Sequence, residues 1–244
     1  MLLLSVDTST QSGSLAVLCD NRVLGEVATW VEETYSSRMF RHLEFLLREL
    51  SLQMSGFDLY AVAAGPGSFT GLRVGLTAVK GWAEVYGKPI AAVSALEAVA
   101  EQSRAQLASA LLASVIDARR GQIYAGIYQP VGASAAGATV PAAGLRLVGE
   151  EMVLTPVEFF ERLPSIAGNR EVVFVTPTPD VLVAPLANSP HKDCPIEQVS
   201  TVLAPVIGQL GYLRAQQGEL TDALRLDANY IRRSDAELLW KGQP

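Results

Sequence analysis

The stretch Leu59-Tyr60-Ala61-Val62-Ala63-Ala64 is apolar throughout, and it runs directly into Gly65-Pro66-Gly67-Ser68-Phe69-Thr70-Gly71. A short apolar run bounded by turn residues reads as a buried strand, and the residues from Gly71 to about Tyr86 read as a helix. A buried strand that feeds a glycine loop and then a helix belongs to a layered α/β structure. The flanking sequence agrees. Leu2 to Val6 is a strand that ends in Asp7-Thr8-Ser9-Thr10, a cluster that favours turns. Ser14 to Leu18 and Val23 to Ala28 complete a meander of three strands around the Asp20-Asn21 turn. Between Ser36 and Leu52 the apolar residues Met39, Phe40, Leu43, Leu46, Leu47 and Leu50 fall at helical spacing. Gly87-Lys88-Pro89 stops the glycine-loop helix, Ile90 to Val93 is another strand, and Ser94 caps a helix expected to reach roughly Leu107.

A second unit begins near Ser109. Leu111 to Ile116 and Gln122 to Tyr128 are paired strands joined by the polar turn Asp117-Ala118-Arg119-Arg120-Gly121. Residues 132–144, rich in Ala and Gly, are expected to form a surface excursion. Val157 to Leu163 is a short helix, Val172 to Val175 a strand, Thr178 to Pro190 irregular, and Pro205 to Gln217 a helix. Asn229 to Arg233 is expected to be a strand, with a short amphipathic end over Asp235 to Trp240. The repeat of strand-rich openings at Leu2 and Leu111 divides the chain into a first lobe, 1–107 joined by 218–244, and a smaller second lobe, 108–217.

Composition removes several classes of function. With 49% apolar and 18% charged residues the 244-residue chain is no disordered polymer. No apolar run approaches the roughly 18 residues of a membrane span. The opening Met1 to Asp7 carries no basic leader, so no signal peptide is expected. Two cysteines, Cys19 and Cys194, are too few for a disulfide framework, which makes a reducing cytoplasm the expected location. The net charge of −6 argues against a chain that grips a long phosphate backbone alone, though a local basic patch is compatible with it.

The glycine loop has the composition of an anion cradle at a helix N-terminus. It carries no Lys for a P-loop, and its last glycine is one residue out of register for the dinucleotide fingerprint. The loop either cradles a phosphate or only turns the chain tightly. Asp7 likewise either orients a magnesium-bound phosphate or closes an Asx turn. The candidate nucleotide set is therefore Asp7, Thr8, Gly65, Gly67, Ser68 and Gly71. His42 and His191 form no two-histidine metal pair, no G-x-S-x-G marks a nucleophile, and no metal or catalytic residue is assigned. Asp117 to Gly121 is either an anion- or partner-docking turn with forked arginine donors or a solvated hairpin.

Four stretches resemble the TsaB/YeaZ family, whose older label is M22 glycoprotease-like. Leu3-Leu4-Ser5-Val6-Asp7-Thr8-Ser9-Thr10 through Val17 is similar to its opening. Gly65-Pro66-Gly67-Ser68-Phe69-Thr70-Gly71-Leu72-Arg73-Val74-Gly75 matches its most specific motif. Ile116 to Tyr124 is similar to its second-domain signature, and Tyr230-Ile231-Arg232 with Ser234 to Glu237 to its C-terminal segment. The resemblance implies a two-lobed ASKHA (actin, sugar kinase, Hsp70-like) α/β fold. It also implies a non-catalytic scaffold or activating subunit for threonylcarbamoyladenosine formation on tRNAs that read ANN codons. The implied partners are a metal-dependent TsaD-type subunit and a TsaE-type ATPase, with ATP and metal on those subunits and none required here. Contact with tRNA would come only through the complex, and the chain alone would be a homodimer.

Catalytic relatives carry H-x-x-x-H, which this chain lacks, and the histidine common near the start of the first long helix is replaced by Tyr35-Ser36-Ser37-Arg38. The alternative is an ASKHA-superfamily enzyme, a small-molecule kinase or a metallopeptidase, that uses Asp7 and the 65–71 loop on a nucleotide. The helices Ser36 to Leu52 and Gly71 to Tyr86 are the expected partner surface, through Arg38, Met39, Leu43, Leu46, Arg73, Leu76, Lys80 and Trp82.

Overall fold

The computed structural model describes residues 1–10, 12–30, 35–104, 110–131 and 144–232, with the side chains of 35–37 outside the description. The expected excursion at 132–144 and the expected amphipathic end at 235–240 lie, apart from Gly144, outside the described residues. The chain folds as five layers, alternating helices and sheets. The first sheet is built from β1 (Leu2–Asp7), β2 (Ser14–Cys19), β3 (Arg22–Ala28), β4 (Leu59–Gly65) and β5 (Ile90–Ser94), in the order β3-β2-β1-β4-β5. The meander pairs antiparallel, while β4 lies parallel to β1 and β5 to β4. The second sheet is built from β6 (Leu111–Arg119), β7 (Gln122–Pro130), β8 (Leu145–Leu147), β9 (Met152–Leu154), β10 (Val172–Thr176) and β11 (Ile196–Gln198). Its order is β11-β10-β6-β7-β8, with β9 also on β7. Two mixed sheets flanked by helices make this the two-lobed α/β architecture that was expected.

The period of two in the strands decides which helix covers which face. Leu4, Val6, Leu15, Val17, Tyr60 and Val62 point outward against α1 (Tyr35–Glu49) and α2 (Phe69–Tyr86). Their neighbours Leu3, Ala16, Leu18, Ala61 and Ala63 point inward, onto α3 (Ala95–Ala100) and α6 (Ala204–Gln217). Leu112, Ile116, Tyr128 and Val175 of the second sheet join that same inner core, so α3 and α6 are shared filling between the lobes. Leu111, Ala113, Val115 and Phe174 face the far side, under α4 (Pro156–Ala167) and α5 (Asp180–Ala187).

Several expectations are corrected. The helix capped by Ser94 ends at Ala100 rather than near 107, and residues 105–109 lie outside the description. The helix expected at 157–163 is longer: Thr155 and Glu158 form a capping box that starts it at Pro156, and it runs on to Ala167 before the Gly168 cap. The segment expected to be irregular after Thr178 contains α5. Asn229 to Arg232 is not a strand; it runs as irregular chain, its Asn229 amide donating to the Ala64 carbonyl at 2.7 Å. The short strands β8, β9 and β11 were not anticipated, since three residues are too few for a readable period.

Helix α6 was grouped with 108–217, yet it lies on the first sheet. Ser5 Oγ donates to the Ala204 carbonyl at 2.6 Å and Ser14 Oγ accepts from the Ala204 amide at 3.1 Å. The chain crosses back before this helix, so that boundary falls near residue 203 rather than 217.

Candidate functional site

A cleft of about 840 Å³ opens between the two lobes. Its first wall is the turn after β1 and the glycine loop, with Ser9, Thr10, Gly67, Ser68 and Arg73 among its lining. Its second wall is the β6–β7 hairpin, with Asp117, Arg119, Arg120 and Tyr124. The segment Asn229 to Arg232 closes one side. Of the candidate nucleotide set, Gly67 and Ser68 line this space, whereas Asp7, Thr8, Gly65 and Gly71 do not.

The reason lies in how the glycine loop packs. A Cβ placed on Gly67 would stand 2.5 Å from the Ser9 carbonyl oxygen, and one on Gly71 would collide with the carbonyl oxygen of Thr8. Both contacts are to backbone, which cannot rotate away. The Ser68 amide donates to the Ser9 carbonyl at 2.8 Å, and Ser68 Oγ accepts from the Gly71 amide at 3.3 Å as the N-cap of α2. The glycines therefore allow the loop to pack directly onto the backbone of the chain's own turn at Thr8 and Ser9.

Asp7 takes the Asx-turn alternative. It is fully buried, and its Oδ1 accepts from the Ser9 amide at 2.8 Å and from Ser9 Oγ at 2.6 Å. Burial pushes its carboxyl above the ordinary aspartate range, while the hydroxyls and amide of Ser9 and Thr10 pull it back. Among the described residues, Oδ2 of Asp7 finds no hydrogen-bond partner. Among the described residues no group of three His, Cys, Asp or Glu side chains is close enough to hold a metal ion.

The expected partner surface is corrected residue by residue. Met39, Leu43, Leu46 and Leu76 are buried in the outer core of the first lobe. Arg38 is also buried, and its Nη1 donates to Thr29 Oγ1 at 2.6 Å, so it is a structural cation rather than part of a solvated rim. Arg73 lines the interlobe cleft instead of flanking the helix pair. Lys80 and Trp82 are half-buried. The apolar side chains that do reach solvent on these helices are Phe40, 56% exposed, Phe45, Val85, 75% exposed, and Tyr86. Phe40 meets the edge of Trp82 with ring centroids 6.4 Å apart, so α1 and α2 share a continuous aromatic ledge.

One cluster gave no signal in the sequence. Glu151 receives the Ser94 hydroxyl, the Tyr128 hydroxyl at 2.6 Å and the Asn229 amide nitrogen at 2.7 Å. Burial first, then the Glu151 charge, hold the Tyr128 phenol far above its usual range. Beside it Arg214 pairs with Glu97 at 2.5 Å and donates to the Ala92 carbonyl. The partners of Glu151 lie 57, 23 and 78 residues away along the chain, so no local motif marks it.

Comparison with known proteins adds an independent line. Residues 22–149 match the family model described as TsaD, tRNA N6-adenosine threonylcarbamoyltransferase. The chain is 36% identical over 129 residues to the tRNA threonylcarbamoyladenosine biosynthesis protein TsaB of Bacillus subtilis, a match that covers 53% of this chain and 56% of that relative. It is 29% identical over 129 residues to TsaB of Escherichia coli, covering 53% and 55%. The matched stretch spans about half the length of these curated relatives. Among solved structures, YeaZ from Pseudomonas aeruginosa superposes with a TM-score of 0.72 at 26% identity, over 94% of this chain and 99% of that one. A second Pseudomonas aeruginosa structure, described as similar to peptidase YEAZ, gives 0.76 at 25% identity over 95% and 99%.

Proposed function

We infer that this chain, which belongs to the TsaB/YeaZ family, acts as a non-catalytic scaffold or activating subunit in threonylcarbamoyladenosine formation on ANN-decoding tRNAs. In this role it binds a TsaD-type catalytic subunit and a TsaE-type ATPase, which supply the metal and ATP. It works in the cytoplasm, meets tRNA within that assembly and pairs with a second copy of itself when alone. The observation that carries this reading is the aromatic ledge on α1 and α2. A monomer that leaves Phe40 and Val85 in water beside Trp82 and Tyr86 exposes a patch of the kind that marks a protein interface.

The closed glycine loop supports the non-catalytic half of the reading. An enzyme that transfers a phosphoryl group needs donors aimed at the phosphate, and here the loop's Ser68 amide is spent on the Ser9 carbonyl. The alternative reading is an enzyme that uses Asp7 and residues 65–71 on a nucleotide.

The test replaces Phe40 or Val85 with Asp and measures association with a TsaD-type subunit from the same cell. A charge in the centre of an interface costs several kcal/mol, so binding should fall by at least about a hundredfold while the chain stays folded. Met39→Asp is the contrast, because burial of its carboxylate in the outer core should unfold the lobe. Unchanged association in folded Phe40→Asp and Val85→Asp would place the partner surface elsewhere.

A further inference from the structure

We propose that Asn229 to Arg232 is a strap that latches the two lobes across the mouth of the interlobe cleft, and that its release opens the cleft while both lobes stay folded. The strap starts just after the chain leaves the core of the first lobe, at the buried Leu226. It grips each lobe at a bulge in the strand pairing. In the first lobe the β4–β5 register steps from Ala63 to Gly65 and passes over Ala64, whose carbonyl accepts from the Asn229 amide at 2.7 Å. In the second lobe the β6–β7 register steps from Asp117 to Arg119 and passes over Ala118, whose carbonyl accepts from Arg232 Nη1 at 3.1 Å. A bulge takes one residue out of the regular pairing and bends its strand. Both bulges lie one residue before the end of their strands, where the chain enters the glycine loop or the hairpin turn.

Side chains tie the same two lobes a second time. Tyr230 stacks on Phe69 with ring centroids 4.9 Å apart, and its hydroxyl accepts from Arg73 Nε at 3.3 Å, both partners belonging to the first lobe. Asn229 Nδ2 donates to Glu151 Oε2 of the second lobe at 2.7 Å. Burial raises the Tyr124 phenol and the charge of Arg232 opposes that rise, so this cation lies beside β7 as well. Gly65 makes room for the strap, because a Cβ there would stand 2.7 Å from the Asn229 carbonyl oxygen.

The strap is held less firmly than the bodies it joins. Asn229 and Tyr230 are exposed, and residues 227–232 belong to no helix or strand. The lobes, by contrast, share α3 and α6 in one buried core. Exposed irregular segments with few buried contacts open at lower free energy than a packed core. A further tie across the mouth, from the Tyr124 hydroxyl to the Gly67 carbonyl, is a marginal hydrogen bond at 3.5 Å. With the strap off, the hairpin is able to swing away from the glycine loop about the α3–α6 core. That motion gives access to the apolar floor of the cleft, where Val99, Ile116 and Leu203 are buried.

Arg232→Met cuts the hold on the hairpin, and the readout is taken at the other end of the strap. Amide hydrogen exchange in the full chain should quicken about tenfold at Asn229, the order set by loss of a hydrogen bond to a charged group, while amides of β1 and β6 keep their rates. Tyr230→Ala should act in the same direction from the first-lobe side, and the double variant more strongly than either. Nitroxides on Thr70→Cys and Gln122→Cys, with Cys19 and Cys194 replaced by Ser, read the width of the mouth by electron–electron distance measurement. The parent should give one narrow distribution, and Tyr230→Ala with Arg232→Met should add a longer population. Unchanged Asn229 exchange or unchanged label distances in the folded double variant would overturn the proposal. Loss of cooperative urea unfolding in that variant would overturn it too, since the strap would then be part of the core. The chain is measured alone, so the outcome is independent of the scaffold role proposed above.

Discussion

Two identical substitutions in one helix should move stability in opposite directions. Gly81 lies inside α2, and a Cβ built there meets nothing within 4 Å. Gly81→Ala therefore removes the helix penalty of glycine and should stabilise the chain by about 0.5–1 kcal/mol. Gly71 sits in the first turn of the same helix, where an added Cβ is driven into the Thr8 carbonyl oxygen. Thr8 cannot retreat easily, since the next residue is tied to the buried Asp7 by two hydrogen bonds. Overpacking of this kind costs about 1–3 kcal/mol, and helix propensity returns at most about 1 of it. Near the upper end the net loss is roughly 2 kcal/mol. For a chain of this size that is a fall in Tm of roughly 4–8 °C, against a rise of roughly 1–4 °C for Gly81→Ala. Urea unfolding with unchanged m-values is the assay. If Gly71→Ala is as stable as Gly81→Ala, the loop has room beside Thr8. The close packing of the glycine loop on the Thr8 backbone would then be refuted.

Glu151→Ala should cost about 2–3 kcal/mol in thermal unfolding, because it strands the buried Tyr128 hydroxyl and frees Ser94 and Asn229, whereas Ala at exposed Glu150 should change stability by less than about 0.5 kcal/mol. Glu101 predicts a pH dependence. Burial first, and then the charge of Glu97, raise its carboxyl to about 7 in the folded chain. The folded state therefore holds that proton more tightly than the unfolded state. The contribution of Glu101 to stability is complete below the ordinary glutamate range and is lost as pH rises through about 7. Glu101→Gln should flatten the stability profile between about pH 4.5 and 7.5, and an unaltered profile would refute the assignment.

The local calculus of the chain was legible where a period or a cap repeats. The meander, β4 and the helix from the glycine loop to Tyr86 follow from alternation, an apolar run, the Ser68 cap and the Gly87 terminator, whose φ of +62° glycine supplies. The family was legible too, since a glycine motif with its flanking strand and helix is a contiguous string. Other features depended on which elements met. Met39 and Phe40 are neighbours of equal hydrophobicity, yet one is fully buried and the other 56% exposed. A helical period sets their angular separation of about 100° but not the rotation at which α1 settles on its sheet.

The affiliation of α6 was hidden for the same reason: its apolar residues suit either sheet, and the hydroxyls of Ser5 and Ser14, 199 and 190 residues away along the chain, tie Ala204 to the first sheet. Whether the glycine loop is an open cradle or a closed turn was open in the sequence, because glycine permits both. What the structure adds is the backbone of Thr8 and Ser9, brought against Gly67 and Gly71 when β1 and β4 pair in parallel. Sequence determines what each segment can do alone, through propensity and pattern. Only the tertiary structure, by bringing distant backbone and polar groups within contact distance, decides which side is buried and which space is left for a ligand.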